Sequence, residues 1–330
     1  MPRVLILHTG GTLGMRPREP DRALAPDEIG ATILEHVPEL TRIATVETRV
    51  LFNIDSTDVG PTHWVELARA VGAGVDSFDG IVITHGTDAM AFTASALSYQ
   101  LRNLPRPVIL TGSQRPLADV RSDGRGNLVG AVDLATRDIP EVGIYFDGLL
   151  LRGNRATKAR TFGFDAFTSP HFGPLAQIGT GLRLHAEPLR HEGPFRVDGG
   201  FDTRVGALRL IPGVGDSLLS SLAGSGLRGL VLDALGSGNA PVIDRSVALA
   251  LSRLIEEGSV VAVRSQAEQG TVDLDRYAGG RLLKEIGAIS AADMTFEAAA
   301  VKLMYLLGTL SDPAQVENAF VTPLAGEMSL

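Results

Sequence analysis

The 330-residue chain contains no cysteine. This absence excludes disulfides and thiolate metal sites, and it fits a reducing compartment. The chain also lacks any apolar run long enough to span a membrane, and only the four apolar residues 4–7 precede His8, too few for the apolar region of a signal peptide. We therefore expect a cytoplasmic protein.

Positive charge is also scarce. Thirty Lys and Arg residues against 38 Asp and Glu residues give a net charge of −8, so we expect neither nucleic acid nor an anionic membrane as a partner. The hydrophobic fraction of 44% and charged fraction of 21% are ordinary for a globular protein. Because 330 residues exceed the usual size of a single core, we expect two domains.

Short β-rich runs alternate with amphipathic helical patterns. The runs predicted as strands are 4–7, 45–53, 80–84, 107–111, 142–146, 206–210, 229–235 and 259–265. The segments predicted as helices are 62–74, 89–103, 126–138, 244–258 and 294–308. Strands that alternate with helices of this length indicate βαβ units and a mostly parallel sheet.

Residues 186–204 separate the strands and helices predicted in the N-terminal half from those predicted in the C-terminal half. This stretch has no sustained period and carries two prolines and three glycines, which indicates a linker or an edge hairpin. We predict an N-terminal domain over 1–188, a linker over 189–204 and a C-terminal domain over 205–330. The predicted fold class is α/β, with a mostly parallel, helix-flanked sheet in the larger N-terminal domain and a smaller C-terminal α/β domain.

Four polar clusters follow β-rich runs in the N-terminal half. They are HTGGT (8–12), NIDSTD (53–58), THGTDAM (84–90) and RGNRATKAR (152–160). In parallel α/β sheets, ligands bind at the carboxyl ends of the strands. The first three clusters stand at such ends, and the fourth follows the YFDGLLL segment.

Each cluster taken alone also has a purely structural interpretation. Residues 10–12 fit a tight turn with a threonine helix cap, and residues 87–88 fit a helix start where the dipole favours an acid. Lys158, among arginines, fits a solvated face, and residues 56–58 fit a turn.

The joint occurrence of the clusters favours catalysis. A threonine hydroxyl is a weak nucleophile that needs a base, a lysine can serve as that base, and an aspartate can hold the lysine in place. Glycines beside the nucleophile let a substrate approach the backbone. Thr12, Thr87, Asp88 and Lys158 could therefore perform acyl transfer without a metal or a cofactor.

Competing motifs are weak. No GxxxxGK[ST] or GxSxG occurs, and the histidines form no HExxH pair. GSGLRG (224–229) has dinucleotide-binding spacing but follows no clear strand, and His85 fits a structural histidine better than a base.

HTGGTLGM (8–15) and ITHGTDAMAFTASAL (83–97) resemble the two signature stretches of the bacterial L-asparaginases. Supporting matches along the whole chain are NIDSTD, VILTGSQRPLADVRSDGRGNL, GNRATKA, FDAFTSP, GSGNAP and ADMTFEA. The segments GTLGM, SALSYQL and GNRATKA resemble the cytoplasmic type I branch more than the periplasmic type II enzymes.

The resemblance implies hydrolysis of L-asparagine to L-aspartate and ammonia through a threonine acyl-enzyme, with no cofactor and no metal. Thr12 matches the nucleophile, and Thr87, Asp88 and Lys158 match a second triad. The resemblance also implies two α/β domains and assembly as a homodimer or homotetramer.

The resemblance further implies a set of substrate-binding residues. Ser56 and Thr57 match positions that hold the substrate's α-carboxylate, and Asp88 is also placed to meet its α-ammonium group. Gly11 gives the substrate room beside the nucleophile. Asn239 matches a residue that reaches the site from a neighbouring subunit.

One departure from the family concerns the loop after the first strand, where the family carries a tyrosine that is hydrogen-bonded to the nucleophile. The corresponding residues 16–29 contain no tyrosine, and the first tyrosine of the chain is Tyr99. Depending on the alignment, Pro20 or Leu24 takes that position. Proton transfer then depends on Lys158 alone, or another group takes the place of the tyrosine, or turnover is poor.

Two alternatives to a type I asparaginase remain. One is a related amidase that acts on glutamine, a D-amide or another small amide. The other is an asparagine- or aspartate-binding protein weakened in catalysis by the altered loop, but a mere binder needs no nucleophile. A tRNA-linked amidotransferase subunit shares the signatures, but we do not expect one, since it would need an added N-terminal domain and this chain begins directly at the first strand.

Overall fold

The computed structural model describes residues 1–16, 19–23, 26–190 and 192–329, with the backbone alone at 16, 19–23, 26–28, 30 and 216. These residues form two compact units, Met1–Asp198 and Gly199–Leu330. The boundary falls within the segment predicted as a linker. None of the described helices is long and apolar enough to cross a membrane.

The first unit alternates strands and helices along the chain. Its strands are β1 (Arg3–Gly10), β2 (Met15–Arg16), β3 (Glu19–Ala23), β4 (Thr45–Ile54), β5 (Gly80–Thr84), β6 (Leu101–Arg102), β7 (Val108–Thr111), β8 (Val142–Phe146), β9 (Leu149–Arg152), β10 (Thr157–Lys158), β11 (Phe167–Thr168), β12 (Ala176–Ile178), β13 (Leu182–Leu184) and β14 (Arg196–Val197). Its α-helices are α1 (Pro26–His36), α2 (Leu40–Ile43), α3 (Pro61–Gly74), α4 (Met90–Gln100) and α5 (Gly124–Ala135).

Eight of these strands form one sheet in the order β13-β12-β9-β8-β7-β5-β1-β4. The five strands from β8 to β4 run parallel, and β9, β12 and β13 add antiparallel pairs at one edge. The central strands β5 and β7 are buried along their whole length, as expected where helices cover both faces. The prediction of a mostly parallel sheet is confirmed.

Strand alternation divides the apolar side chains of the first unit between two cores. Leu5 and Leu7 of β1 pack on one side with residues of α3 and α4, whereas Val4 and Ile6 pack on the other with residues of α1, α2 and α5. Successive side chains of a strand point to opposite faces, so the VLIL run of β1 supplies both cores.

The second unit is a smaller α/β unit. Its strands are β15 (Val205–Arg209), β16 (Gly229–Ala234), β17 (Val260–Ser265) and β18 (Ile289–Ser290), which pair in this order and in parallel. Its helices are α6 (Asp216–Ser220), α7 (Ser246–Glu256), α8 (Ala278–Glu285), α9 (Phe296–Thr309) and α10 (Pro313–Phe320). The predicted α/β fold class is therefore confirmed in both units.

The predicted elements differ from the observed ones mainly at their ends. The helix predicted over 89–103 ends at Gln100, because the next two residues form β6 and pair with β14 (Arg196–Val197). That pairing places a short strand inside the segment predicted as a linker. Five of the described α-helices were not predicted from the sequence: α1, α2, α6, α8 and α10.

Lys302 and Glu327 form a fully buried ion pair in the second unit. Lys302 Nζ also donates to the Thr322 carbonyl oxygen at 2.7 Å, and Glu327 accepts from the backbone amides of residues 324 and 325. Burial lowers the pKa of Lys302, although Glu327 beside it opposes that shift. The pair therefore ties the C-terminal segment to α9.

Replacing Lys302 by methionine is expected to lower the free energy of unfolding by about 3–5 kcal/mol, because it leaves Glu327 buried without its partner. The measurement is urea denaturation at neutral pH. The matched control is Lys284→Met, which breaks an ion pair with Asp275 whose side chains are 56% and 69% exposed. We expect the control to cost no more than about 1 kcal/mol. Equal losses in the two variants would contradict this assignment.

Candidate active site

Two glycines bring three strand ends of the first unit together. Gly10 and Gly11 have φ angles of 110° and 87°, in the region that favours glycine. A Cβ atom on Gly11 would lie 2.5 Å from the N and Cα atoms of Gly86, and one on Gly10 would overlap the backbone of Ile54. These glycines therefore do more than form a turn, since they allow β1 to end in backbone contact with the last residue of β4 and with the loop that follows β5.

Thr12 stands directly after this contact. It is the first residue of a short 3-10 helix, Thr12–Gly14, and the N-cap residue of that helix is Gly11. The interpretation of Thr12 as a helix cap is therefore wrong. The residue is only partly buried, and its hydroxyl group makes no hydrogen bond to another residue within the described part of the chain.

Lys158 joins two residues that follow β5. Its Nζ lies 2.7 Å from Thr87 Oγ1 and 2.6 Å from Asp88 Oδ1. The Lys158 side chain is only 16% exposed, whereas that of Asp88 is 59% exposed. The interpretation of Lys158 as part of a solvated face is therefore wrong, and three of the four predicted catalytic side chains form one hydrogen-bonded group.

A buried ion pair anchors the segment that carries Lys158. Arg152, at the end of β9, donates from Nε and Nη2 to Glu141 at 2.5 and 3.0 Å, and both side chains are buried. The buried 3-10 helix Gly153–Arg155 then leads to β10 and Lys158. A bidentate arginine–carboxylate pair fixes the relative orientation of the two side chains as well as their distance. The Arg152–Glu141 pair therefore fixes the point at which residues 153–158 leave the sheet. No local signal in the sequence indicates this pair.

Ser56 and Thr57 follow β4. Ser56 is buried against Gly86, where a Cβ atom would lie 2.6 Å from Ser56 Oγ. Thr57 donates from its backbone amide and its hydroxyl to Asp55 Oδ1 at 2.8 and 2.7 Å, and these bonds lower the pKa of Asp55. The turn interpretation therefore fits Thr57, while Ser56 lies beside the loop that carries Thr87.

Gln114, which follows β7, is a neighbour of Thr87 that the site prediction did not include. Its Nε2 donates to the Gly163 carbonyl oxygen at 3.1 Å, so its Oε1 faces Thr87 Oγ1 at 3.5 Å, the long limit of a hydrogen bond. Asp123 accepts from the Gln114 backbone amide at 3.0 Å, and burial raises the pKa of Asp123. The sequence signals for Gln114 were its place after a predicted strand and its position in the VILTGSQRPLADVRSDGRGNL stretch that resembles the asparaginases.

The remaining predicted positions lie elsewhere or are not described. Asn239 belongs to the second unit, after β16, and its Oδ1 accepts from the Ala240 backbone amide at 3.1 Å. Its contribution from a neighbouring subunit stays a prediction. Of the two positions that could replace the family tyrosine, Leu24 lies outside the described residues, and so does the side chain of Pro20. Among the residues that the structure describes, no group of three or more His, Asp or Glu side chains is arranged to hold a metal.

Two buried histidines lie beneath the loops of the site. His8 is hydrogen-bonded through Nδ1 to Thr84 Oγ1 at 2.7 Å, and burial lowers its pKa to about 4, with Asn53 opposing and His85 adding to the shift. Burial also lowers the pKa of His85 to about 4, with its hydrogen bond to the Gly86 carbonyl opposing. Both rings are therefore neutral in the folded protein at neutral pH.

The two histidines predict a loss of stability in mild acid. Between pH 6.5 and about 4, both rings bind protons in the unfolded chain but not in the folded chain. Their contribution to the free energy of unfolding is therefore present above pH 6.5 and is lost progressively as the pH falls to about 4. Between pH 7 and pH 5 the free energy of unfolding should fall by about 2 kcal/mol for each histidine. Urea denaturation at the two pH values measures it.

Replacing His8 by glutamine should reduce this pH dependence by about half, whatever it does to stability at pH 7. The control is His185→Gln at an exposed position, which should leave the dependence unchanged. A wild-type stability that is the same at pH 5 and pH 7 would contradict the prediction.

Comparisons with known proteins give matches along nearly the whole chain. Residues 3–190 match the family described as "Asparaginase, N-terminal", and residues 204–320 match "Glutaminase/Asparaginase C-terminal domain". L-asparaginase 1 of Escherichia coli (strain K12) is 38% identical, over 99% of this chain and 98% of that protein. A glutamyl-tRNA(Gln) amidotransferase subunit of Pyrococcus abyssi is 35% identical, over 100% of this chain and 77% of that protein. Among solved structures, the thermostable L-asparaginase from Thermococcus kodakarensis has a TM-score of 0.91 and 36% identity, covering 99% of each chain.

Proposed function

Because this chain belongs to the asparaginase family, we propose that it hydrolyses L-asparagine to L-aspartate and ammonia through an acyl-enzyme on Thr12. The observation that carries the proposal is the contact of Lys158 Nζ with Thr87 and Asp88, on a loop whose Gly86 packs against Gly11. This contact supports a role for Lys158 and the Thr87 hydroxyl group in proton transfer near Thr12.

The proposed reaction has two steps. Thr12 Oγ1 attacks the side-chain amide carbon of asparagine, its proton passes to the amide nitrogen, and the carbon–nitrogen bond breaks to release ammonia. Water then adds to the aspartyl ester, the bond to Thr12 breaks, and a proton from the water returns to the threonine oxygen. Lys158 and Thr87, which share a hydrogen bond, would carry these protons, and Asp88 would hold the Lys158 ammonium group.

The proposed substrate site lies around the same loops. Asp88 Oδ1 accepts from Lys158, and the Asp88 side chain is 59% exposed, so its other oxygen would meet the α-ammonium group. Ser56 and Thr57 would meet the α-carboxylate, and Gly11 would leave room for the amide. Asn239 would enter from a neighbouring subunit of a homodimer or homotetramer, and we propose a cytoplasmic location.

A second candidate is hydrolysis of glutamine or another small amide. It is favoured by the 35% identity to an amidotransferase subunit and by the family description that names both glutaminase and asparaginase. A binding protein with weakened catalysis would keep the binding residues without turnover. Both alternatives share the residues described above, so substrate measurements are needed to separate them.

The test is ammonia release from L-asparagine, D-asparagine and L-glutamine by the purified protein, in the presence of a chelator. We expect the highest kcat/KM for L-asparagine. Faster release from glutamine or D-asparagine would favour the related amidase. Binding of asparagine or aspartate by calorimetry, without ammonia release from any amide, would favour the binding protein.

A further inference from the structure

A chain of three hydrogen bonds runs beneath the loop that carries Thr87. Trp64 Nε1 lies 3.1 Å from Thr93 Oγ1, Thr93 Oγ1 lies 3.0 Å from His85 Nε2, and His85 Nδ1 lies 2.7 Å from the Gly86 carbonyl oxygen. Trp64, Thr93 and His85 are all buried. The chain therefore links α3 and α4 to the residue directly before Thr87.

The chemistry of the end groups fixes the direction of every bond. A carbonyl oxygen only accepts, so His85 Nδ1 carries the proton and donates to Gly86. The neutral ring then accepts at Nε2, and Thr93 must donate to it. The indole of Trp64 only donates, and Thr93 Oγ1 accepts from it. This arrangement satisfies every donor with one acceptor and selects one tautomer of His85.

Both ring nitrogens of His85 are occupied and the ring is buried, so His85 does not touch substrate. What it controls is a peptide plane, because the Gly86 carbonyl and the Thr87 amide belong to one rigid unit. Gly86 also packs against Gly11 and Ser56. A rotation of this peptide would therefore move Thr87 relative to both the Thr12 loop and Lys158.

We propose that His85 is a positioning residue which, held in its Nδ1–H tautomer by Thr93 and Trp64, fixes the Gly86 carbonyl and so aims Thr87 Oγ1 at Lys158 Nζ. The inference rests on the proposed function, because it assigns the Thr87–Lys158 contact a role in turnover. It predicts that the Thr93 hydroxyl matters for kcat although Thr93 lies in a helix and is buried away from substrate.

The test compares Thr93→Val, which keeps the shape and removes the hydroxyl, with Thr93→Ser, which keeps the hydroxyl. Thr93→Val should lower kcat about tenfold with KM unchanged, since small displacements of reacting groups cost on the order of tenfold to a hundredfold. Thr93→Ser should stay within about twofold of the wild type. Ser95→Ala is the control, because it removes another buried hydroxyl of the same helix, bonded to the Ala91 carbonyl oxygen at 2.8 Å. It should leave kcat unchanged.

Nitrogen NMR of the histidine rings gives a readout that does not need turnover. In the wild type His85 should carry its proton on Nδ1, and Thr93→Val should alter that tautomer and shift the backbone amide resonance of Thr87. A wild type that releases no ammonia would overturn the proposed function, and the NMR readout would still decide the role of His85. Protonation on Nε2, an unmoved Thr87 resonance, or an active Thr93→Val variant with wild-type kcat would overturn the inference.

Discussion

Replacing Thr12 by valine is expected to reduce amide hydrolysis by about three orders of magnitude or more, on the order of the loss seen when a nucleophile is removed. Valine keeps the branched shape and removes only the hydroxyl group. Since that hydroxyl makes no hydrogen bond to another described residue, the fold should be unaffected, as checked by the thermal unfolding midpoint and circular dichroism. The measurement is kcat for ammonia release from L-asparagine.

Thr12→Ser is the matched control, since it retains a hydroxyl at the same place and should retain measurable turnover. Thr12→Val activity above about a tenth of the wild-type value would move the nucleophile elsewhere, because removal of a nucleophile costs far more than this. Thr87 would then be the first candidate, since its hydroxyl already lies 2.7 Å from Lys158 Nζ.

Replacing Lys158 by methionine is expected to lower kcat by about 10²–10⁴-fold with a smaller effect on KM, the range typical of general acid–base groups. Methionine keeps most of the aliphatic stem and removes the ammonium that contacts Thr87 and Asp88. The measurement is steady-state kinetics with L-asparagine.

The control is Arg160→Met, two residues further along the chain, where the arginine pairs with Asp165 and both side chains are more than half exposed. It removes a cation from the same segment and should leave kcat nearly unchanged. A Lys158→Met variant with normal kcat and a raised KM would give Lys158 a role in binding instead of proton transfer.

Eight of the described strands and five of the ten described α-helices were predicted, because their signals are local. In β1, an apolar run bounded by polar residues supplies both cores of a covered sheet, and the GIVIT and VILT runs behave in the same way. Helix ends were less predictable, because the end of α4 depends on pairing between residues 101–102 and 196–197, almost a hundred positions apart.

The location of the site and the types of residue in it could be predicted from the sequence, but the contacts between those residues could not. Polar clusters after parallel strands point to one edge of the sheet, and their resemblance to the asparaginases assigns them roles. The burial of Lys158 was not predictable, because local sequence shows only a basic segment, whereas the contacts come from residues 70 and 71 positions earlier. The Glu141–Arg152 pair and Gln114 were missed for the same reason.

The role of Gly10 and Gly11 shows the same limit. From the sequence they indicate only a flexible turn. The structure adds that backbone atoms of Ile54 and Gly86 occupy the space of a Cβ atom at these positions. The requirement for glycine therefore has two causes: the positive φ angles at both positions, and neighbouring segments that are distant in the sequence.

The most direct test of an acyl-enzyme on Thr12 is mass spectrometry of the protein quenched in acid during turnover of L-asparagine, followed by peptide mapping. We expect an aspartyl ester on the peptide that contains Thr12, formed in the wild type and absent from Thr12→Val. An ester on the peptide that contains Thr87, or sustained ammonia release with Thr12→Val, would contradict the proposed mechanism.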